Sequence, residues 1–260
     1  MKGSFLFLGT GASAGIPMIG CHCEVCMSSD PHNKRLRPSG LITIHGKNLL
    51  IDTGPDLRTQ LLLNNIERID GVIYTHTHYD HVAGLDDLRS FYLLYKTFIP
   101  VLLSKESYED LKIRYYYLFR EKDWGKSLAA QLEFHLLEEK RGDCLFLDIP
   151  IRYVTYQQVG MNVNGYRFGN FAYVSDIKEY PDSIFNDLKG CNTLVISALR
   201  PESSFAHLSL DEGVEFGKKI GAQNVWFTHM AHELEHEKAN RMLPSGFRLA
   251  YDGLKIEFEV

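Results

Sequence analysis

The hexapeptide His76-Thr77-His78-Tyr79-Asp80-His81 places four side chains of metal-ligating type within six residues. It follows the apolar run Gly71-Val72-Ile73-Tyr74, which predicts a buried strand. Residues two apart on an extended chain project to the same side, so His76 and His78 can share one ion. Asp80 and His81 follow after the chain turns and can complete that site or build a second one. The hexapeptide therefore predicts a metal site at a strand end, with a His-rich exposed turn as the alternative.

The pattern H-x-H-x-D-H resembles the signature of the metallo-β-lactamase superfamily. Other segments that resemble motifs of this superfamily occur from residue 5 to residue 253, at 5–11, 48–54, 172–176, 227–232 and 249–253. The last two are similar to closing motifs of the PhnP-like cyclic-phosphate phosphodiesterase branch. The resemblance implies an α/β fold of the αβ/βα sandwich type, in which two mixed β-sheets carry helices on their outer faces.

Composition is compatible with one soluble domain. The chain has 260 residues, 45% hydrophobic and 23% charged, which is ordinary for a globular protein. We expect a single domain over 1–260, with a variable insertion at about 100–150. No apolar run approaches a membrane span and residues 1–2 lead directly into a strand-like segment, so we expect a cytoplasmic protein without membrane contact. The net charge of -5 argues against long nucleic acid as a partner and leaves small anionic substrates.

Three of the five cysteines are clustered. Cys21, Cys23 and Cys26 form a C-x-C-x-x-C pattern, which favours a structural zinc site over disulfides in a chain without a secretory signal. A closed tetrahedral site needs a fourth ligand, and proximity nominates His22 or His32. The resemblance instead nominates His232, which would tie a zinc loop at about 15–35 to the C-terminal part of the chain. Three reduced, buried thiols without metal are the alternative.

The resemblance also implies a two-ion active site. His76, His78 and a third histidine would bind one ion, Asp80, His81 and His229 would bind the other, and Asp176 would bridge them. The chain has no histidine between His135 and His207, and the best positional match for the third one is Gln158, with Gln157 one register away. An amide oxygen is a weaker ligand than imidazole for zinc or iron and suits harder ions such as manganese. We therefore expect two divalent ions (Zn, Mn or Fe), one weakly held. The alternatives are a single ion or loss of catalysis.

Three further side chains have expected roles. Two bound ions would lower the pKa of a shared water and supply a metal-bound hydroxide as nucleophile, which Asp80 would help to orient. The resemblance places His207 near the substrate, where it would stabilise the transition state or protonate the leaving group, and a buried structural or helix-capping histidine is the alternative. Asp52 is expected to orient a ligand histidine without binding an ion itself.

Three function classes remain open at this point. The first is a metal-dependent phosphodiesterase acting on a small phosphate diester or cyclic phosphate. The second is another hydrolase of the superfamily, acting on a thioester, a lactone or RNA ends. The third is a zinc-stabilised accessory or binding protein without catalysis.

Local patterns predict strands, helices and two tight turns. Turns at 46–47 and 169–170 would join adjacent strands, and Ser209 with Glu212 would form a capping box. The aromatic and basic stretch 114–120 is interpreted as a core or homodimer contact in preference to a substrate lid. Four histidines without partners at ligand spacing, His32, His45, His135 and His236, are interpreted as surface or packing residues. The predicted strands are 4–8, 41–45, 48–52, 71–75, 99–103, 151–156, 165–168, 171–175, 193–197, 224–228 and 254–259. The predicted helices are 56–65, 85–96, 105–120, 182–189, 209–220 and 235–243.

Overall fold

The computed structural model describes residues 2–119 and 128–260. Within these ranges strands and helices alternate along most of the chain. The strands are β1 Lys2–Gly9, β2 Ser39–Ile44, β3 Lys47–Ile51, β4 Gly71–Ile73, β5 Ile99–Ser104, β6 Leu132–Leu137, β7 Arg141–Phe146, β8 Ile149–Gln158, β9 Met161–Phe168, β10 Phe171–Val174, β11 Thr193–Ser197, β12 Asn224–Thr228, β13 Phe247–Leu249 and β14 Lys255–Glu259. The α-helices are α1 Glu24–Met27, α2 Leu57–Leu63, α3 Tyr79–Val82, α4 Arg89–Tyr95, α5 Lys105–Arg114, α6 Ile184–Asp187, α7 Leu210–Ile220 and α8 His236–Met242.

The described strands form two mixed sheets. The first has the order β14-β1-β2-β3-β4-β5-β6 and the second β13-β12-β11-β10-β9-β8-β7. In each sheet hairpin-connected antiparallel strands adjoin parallel strands, as in the pairs β3–β4 and β10–β11. The predicted turn at 169–170 is confirmed, because β9 and β10 pair antiparallel across it. The first hairpin turns one residue earlier than predicted, at 45–46, where both residues have positive φ.

Apolar side chains are buried in three layers. Between the sheets, residues such as Phe5 and Ile51 pack with Phe171 and Val195. On the outer face of the first sheet a second cluster includes residues of α2 and α4, and a third cluster joins the other sheet to α6, α7 and α8. The chain thus places helices outside two facing sheets, and the predicted αβ/βα sandwich is confirmed.

Several element predictions need correction. The short strands β6, β7 and β13 were not predicted, because β6 and β7 are edge strands rich in charged and half-exposed residues and β13 has only three residues. The predicted helix 85–96 begins as a 3₁₀ turn before α4, and the helix predicted at 105–120 ends at Arg114. Residue 120 lies outside the described residues. The described parts of 100–150 include β6 and β7, which form one edge of each sheet.

The two sheets are tied together beside the hexapeptide. The Tyr166 hydroxyl on β9 donates to the carbonyl of Tyr74 at 2.7 Å, and the Asn164 backbone N–H donates to the carbonyl of Thr75 at 2.9 Å. These bonds fix the segment after β4 against the second sheet. The last residues of β3, β4, β8, β10 and β12, or the residues that follow them, therefore lie in one region between the sheets. None of the helices in the described ranges is long and apolar enough to cross a bilayer.

Candidate metal centre

Three candidate site residues have left-handed backbone conformations. Asp52, Asp176 and His229 have φ of 60°, 54° and 57°, and each stands just past the end of a strand. Residues other than glycine rarely adopt this region, Asn, Asp and His more often than the rest, and such residues concentrate at functional sites. Here the turn redirects each side chain from the strand into the space between the sheets.

Asp80, His81, Asp176 and His229 converge in this space. His229 Nε2 lies 3.2 Å from Asp80 Oδ2 and 3.2 Å from Asp176 Oδ1. His81 Nε2 lies 3.1 Å from Asp176 Oδ2 and 3.5 Å from Asp80 Oδ2. All four residues are buried. The structure thus brings together the four residues that the sequence assigns to the second ion and the bridge.

The residues assigned to the first ion are also brought together. His76 Nε2 lies 2.9 Å from His78 Nδ1, and one donor atom each from His76, His81 and Asp176 falls within a 4.8 Å cluster. Gln158, at the end of β8, is buried and donates from Nε2 to Asp176 Oδ1 at 3.0 Å. Its Oε1 is buried without a hydrogen-bond partner. The position assigned to the missing histidine is therefore occupied by an amide in contact with the candidate bridging carboxylate.

His207 lies beside this amide. Gln158 Nε2 is 2.9 Å from His207 Nε2, and the His207 ring stacks on that of His229 with centroids 5.0 Å apart. Burial, together with the charge of His229, lowers the pKa of His207 to about 4. His207 is thus a neutral imidazole at pH 7, which suits hydrogen bonding to the substrate better than protonation of a leaving group.

Asp52 contacts His81 and stands outside the group of converging side chains. Its Oδ2 is 2.7 Å from His81 Nδ1, and its two oxygens accept from the backbone N–H and the hydroxyl of Thr75 at 2.8 and 2.7 Å. This arrangement leaves His81 Nε2 facing the two carboxylates. Thr75 was missed by the sequence analysis, although its position directly before His76 was an available signal.

A glycine permits the close packing of these segments. A Cβ at Gly54 would stand 2.3 Å from the carbonyl oxygen of Asp80, so no larger residue fits without movement. Gly54 follows Asp52 in the segment after β3. The segment that orients His81 can thus lie directly against α3, which carries His81.

The electrostatics of the site separate two kinds of histidine. Burial lowers the pKa of His76 well below its usual value and lowers that of His78, so both rings are neutral. Burial acts in the same direction on His81 and His229, but their carboxylate neighbours outweigh it and raise the pKa of each. The carboxylates of Asp80 and Asp176 therefore dominate this part of the site and attract positive charge.

The donor set fits divalent cations. Imidazole nitrogens and carboxylate oxygens are the groups that zinc, manganese and iron take as ligands. Gln158 Oε1 is buried without a hydrogen-bond partner, which is costly unless an ion or water uses its lone pairs. His76, His78, Gln158 and Asp176 would hold one ion, and Asp80, His81, Asp176 and His229 the other.

The cysteine cluster forms a separate candidate site with His232. The Nδ1 atom of His232 lies 3.2 Å from Cys21 Sγ, 3.5 Å from Cys23 Sγ and 3.6 Å from Cys26 Sγ. The four side chains form a Cys₃His set of the kind that binds structural zinc. Of the candidate fourth ligands, His232 is the one in this cluster, and it connects the loop around α1 to the chain after β12.

The structure also shows where the stretch 114–120 and two of the remaining histidines lie. In the stretch 114–120, Arg114 Nη1 donates to the carbonyl of Thr77 at 2.7 Å, and Phe119 stacks on Phe134 with centroids 4.9 Å apart. This part of the stretch packs against the protein, and Arg114 braces the hexapeptide. His32 and His236 were interpreted as surface or packing residues without partners at ligand spacing. Their rings do pack together, with centroids 4.6 Å apart, but the two residues also belong to one group of possible metal ligands with Glu237.

Comparison with known proteins identifies the family. The model of the β-lactamase superfamily domain matches residues 47–230, which include every candidate active-site residue. The chain belongs to the metallo-β-lactamase superfamily. A crystal structure described as a new diphosphatase from the PhnP family is 39% identical, covers 99% of this chain and 98% of its own, and superposes with a TM-score of 0.91. This metallo-hydrolase is therefore of the PhnP-like type, as the sequence motifs predicted.

Two curated relatives have other names. An octanoyltransferase of Porphyromonas gingivalis is 32% identical over 255 residues, which are 96% of this chain but 50% of the relative. The chain thus spans half the length of that protein. The anti-Pycsar protein Apyc1 of Bacillus phage BSP38 is 26% identical over 224 residues, 76% of this chain and 83% of the relative.

Proposed function

We propose that the protein is a metal-dependent phosphodiesterase that acts on a small phosphate diester or cyclic phosphate. The observation that carries the proposal is the convergence of Asp80, Asp176, His81 and His229, whose side-chain oxygens and nitrogens lie 3.1–3.5 Å apart in a buried region of the protein. An anionic phosphate cannot approach two ionised carboxylates unless cations neutralise them. The similarity to a diphosphatase of the PhnP family supports phosphate chemistry.

Bound divalent ions supply Lewis-acid charge neutralisation and lower the pKa of water near neutrality. Asp176 is held for its bridging role by hydrogen bonds from the Ser175 hydroxyl at 2.7 Å and from Gln158. Asp80 Oδ2 lies 3.2 Å from His229 Nε2, so the two donor atoms stand at the spacing of ligands of one ion. These contacts pre-organise the charge of the site before substrate binds.

His207 is the residue that we assign to the substrate phosphate. Its neutral ring offers one N–H donor, which suits a hydrogen bond to a phosphate oxygen as negative charge develops. The ring is held by Gln158 and His229 at the edge of the candidate ligands. Replacement of His207 is expected to lower kcat more than it raises KM.

Exposed apolar side chains border the site. Tyr79 is 68% exposed and stands between His78 and Asp80, and Phe205 is 82% exposed and stands two residues before His207. Such side chains offer contact surface to the organic part of a small diester. The substrate in this proposal is a compact anion with an apolar or aromatic substituent, and long nucleic acid is not its partner.

The test combines metal counting with paired substrates. The full chain is purified without chelator, its metals are counted, and turnover of bis(p-nitrophenyl) phosphate and of a generic thioester is measured with added manganese, zinc or iron. Asp80→Asn is expected to lower diester turnover at least ~100-fold, whereas Asp87→Asn, a nearby exposed carboxylate, leaves it unchanged. Turnover of the thioester alone, or no diester turnover with any ion, would overturn the proposal.

A further inference from the structure

A further group of metal-ligating side chains lies outside the two candidate sites. His32 belongs to the 3₁₀ turn Pro31–Asn33, and His236 and Glu237 begin α8. One donor atom from each of the three lies within 4.8 Å of the others. None of these residues belongs to the candidate active site or to the cysteine cluster.

Of these three residues, His236 is the one whose side chain is buried. It is 4% exposed, and its Nδ1 atom is buried without a hydrogen-bond partner. Its backbone N–H donates to Asn33 Oδ1 at 2.9 Å, and Asn33 Nδ2 donates to Glu235 Oε1 at 2.9 Å. These bonds hold the turn that carries His32 against α8. A buried ring nitrogen without a partner is unfavourable, and a bound ion would use its lone pair.

His32 and Glu237 have room to adjust. The His32 side chain is 37% exposed, and Glu237 is exposed at the start of α8. Zinc–nitrogen bonds are about 2.0–2.1 Å, so two ligands of a tetrahedral zinc ion lie about 3.4 Å apart. A tetrahedral ion would require these two side chains to rotate toward the buried His236 ring.

The charges around the cluster favour a cation. Asp30 Oδ1 lies 3.8 Å from His32 Nδ1, and the Glu235 carboxylate is held beside Asn33. With Glu237 they place three carboxylates near the two rings. The opposing charges are the buried guanidinium of Arg35, which donates to the carbonyls of His32 at 3.2 Å and Leu234 at 2.8 Å, and the ammonium of Lys238, which pairs with Glu24 at 2.7 Å. With Glu24 counted, four carboxylates face two cations, which leaves an excess of negative charge around the cluster.

We propose that His32, His236 and Glu237 bind one zinc ion, with water in the remaining position. Two imidazole nitrogens and one carboxylate oxygen are a donor set that suits zinc and neighbouring late first-row ions. The ion would join the turn Pro31–Asn33 to α8. It would therefore act as a second cross-link between the segments that Cys21, Cys23, Cys26 and His232 connect.

The competing account is aromatic packing alone. The His32 ring lies 4.6 Å from that of His236 and 4.2 Å from that of Tyr251, centroid to centroid. A stack of this kind needs no ion. The two accounts differ in the number of metal ions that the folded chain holds.

Zinc counting on the full chain distinguishes them. Wild type, His236→Asn and His32→Gln are dialysed against excess zinc sulfate, desalted and analysed for zinc per chain. His135→Gln is the matched control, because His135 is a half-exposed histidine that belongs to no such cluster among the described residues. We expect each cluster variant to hold one zinc ion fewer than wild type, and the control to hold the same number.

The same variants give a second readout. Added zinc is expected to raise the melting temperature of wild type and the control more than that of His32→Gln. Because the His32 side chain is partly exposed, this variant keeps the test valid if His236→Asn does not fold. Equal zinc content in wild type and both cluster variants would overturn the proposal, as would equal zinc-dependent stabilisation of wild type and His32→Gln. Neither readout depends on turnover, so the outcome is independent of the proposed phosphodiesterase activity.

Discussion

Gln158 is the residue that most distinguishes this site from the pattern of its superfamily. Its amide nitrogen donates to Asp176 and contacts His207, and its amide oxygen is buried without a hydrogen-bond partner. The nitrogen of Gln158 thus positions Asp176 and His207, and its oxygen offers a weak ligand to an ion. The first ion would consequently be bound more weakly than the second.

Gln158→His should strengthen the weak site. An imidazole at this position is a stronger ligand for zinc and iron, so we expect the affinity for the more weakly bound ion to rise ~10-fold or more, by the scale that applies to changes around metal sites. Titration with zinc and a chromophoric chelator measures the change. Gln157→His is the matched control, because Gln157 bonds to Asn162 and is not among the converging side chains. Unchanged affinity in Gln158→His would remove Gln158 from the ligand set.

The residues of the site were predictable to different degrees. The hexapeptide was found because metal-ligating residue types at a strand end leave a pattern in the sequence, whereas Asp176 and His229 were assigned through the resemblance to the superfamily. The left-handed conformations of Asp52, Asp176 and His229 were not, because they depend on how each strand end meets the opposite sheet. The contact of His32 with His236 was also invisible, since the two residues are brought together by folding of distant segments.

At the scale of elements, local rules succeeded where the signal is local. The predicted capping box of α7 is present, with the Ser209 side chain accepting from the Glu212 N–H and the Glu212 side chain accepting from the Ser209 N–H. The strands β11 and β12 were predicted to the residue. Edge strands β6 and β7 were missed, because their pairing is set by neighbouring strands and most of their apolar side chains are only partly buried.

Loss of the α7 cap should destabilise the fold by a small, defined amount. Ser209→Ala removes one side-chain acceptor for the first turn of the helix, which typically costs ~1 kcal/mol. For a chain of this size we expect a fall in melting temperature of about 2–4 °C, measured by differential scanning calorimetry. Ser90→Ala, at an exposed position in α4, is the matched control. A Ser209→Ala variant as stable as the control would show that the cap does not contribute.

The contribution of Asp252 to the stability of the fold should depend on pH. Its carboxylate accepts from the Thr10 and Leu36 backbone N–H groups at 2.9 and 2.7 Å, joining three segments. Burial, partly offset by these bonds, raises the pKa of Asp252 from 3.8 to about 6. Between these values the native state holds more protons than the unfolded state, so this group's contribution to stability falls as pH rises from 4 to 6.

Denaturant unfolding of wild type and Asp252→Asn across that range isolates the contribution. Two pKa units correspond to about 3 kcal/mol at most, so the stability difference between wild type and variant should shrink by ~1–3 kcal/mol from pH 4 to pH 6. A constant difference across this window would contradict the raised pKa. At pH 7 the variant is still expected to be less stable, because an amide nitrogen cannot accept from a backbone N–H.

The whole molecule is a sandwich whose N-terminal loop is fastened to its C-terminal part. Asn33 bonds to Glu235, the buried Arg35 bonds to the carbonyl of Leu234, and His232 contacts the three clustered cysteines. The fold class was predictable from motifs spread over most of the chain. These contacts between the N-terminal loop and the C-terminal part were predictable only in part. The resemblance nominated His232, but polar bonds between distant segments leave no periodic pattern in the sequence.

Removal of the cysteine site should therefore loosen the loop more than the sheets. In Cys26→Ser we expect the loss of one zinc ion per chain and faster amide hydrogen exchange in residues 16–35. The strands β10, β11 and β12 should keep their protection from exchange. The loop is the more sensitive part because it has few apolar contacts of its own beyond Ile16, Val25 and Cys26. Cys144→Ser is the control for loss of an isolated thiol. Equal exchange in the loop of both variants would mean that hydrogen bonds such as those of Asn33 and Arg35 suffice. Exchange that rises across both sheets would instead make the zinc site a determinant of the whole fold.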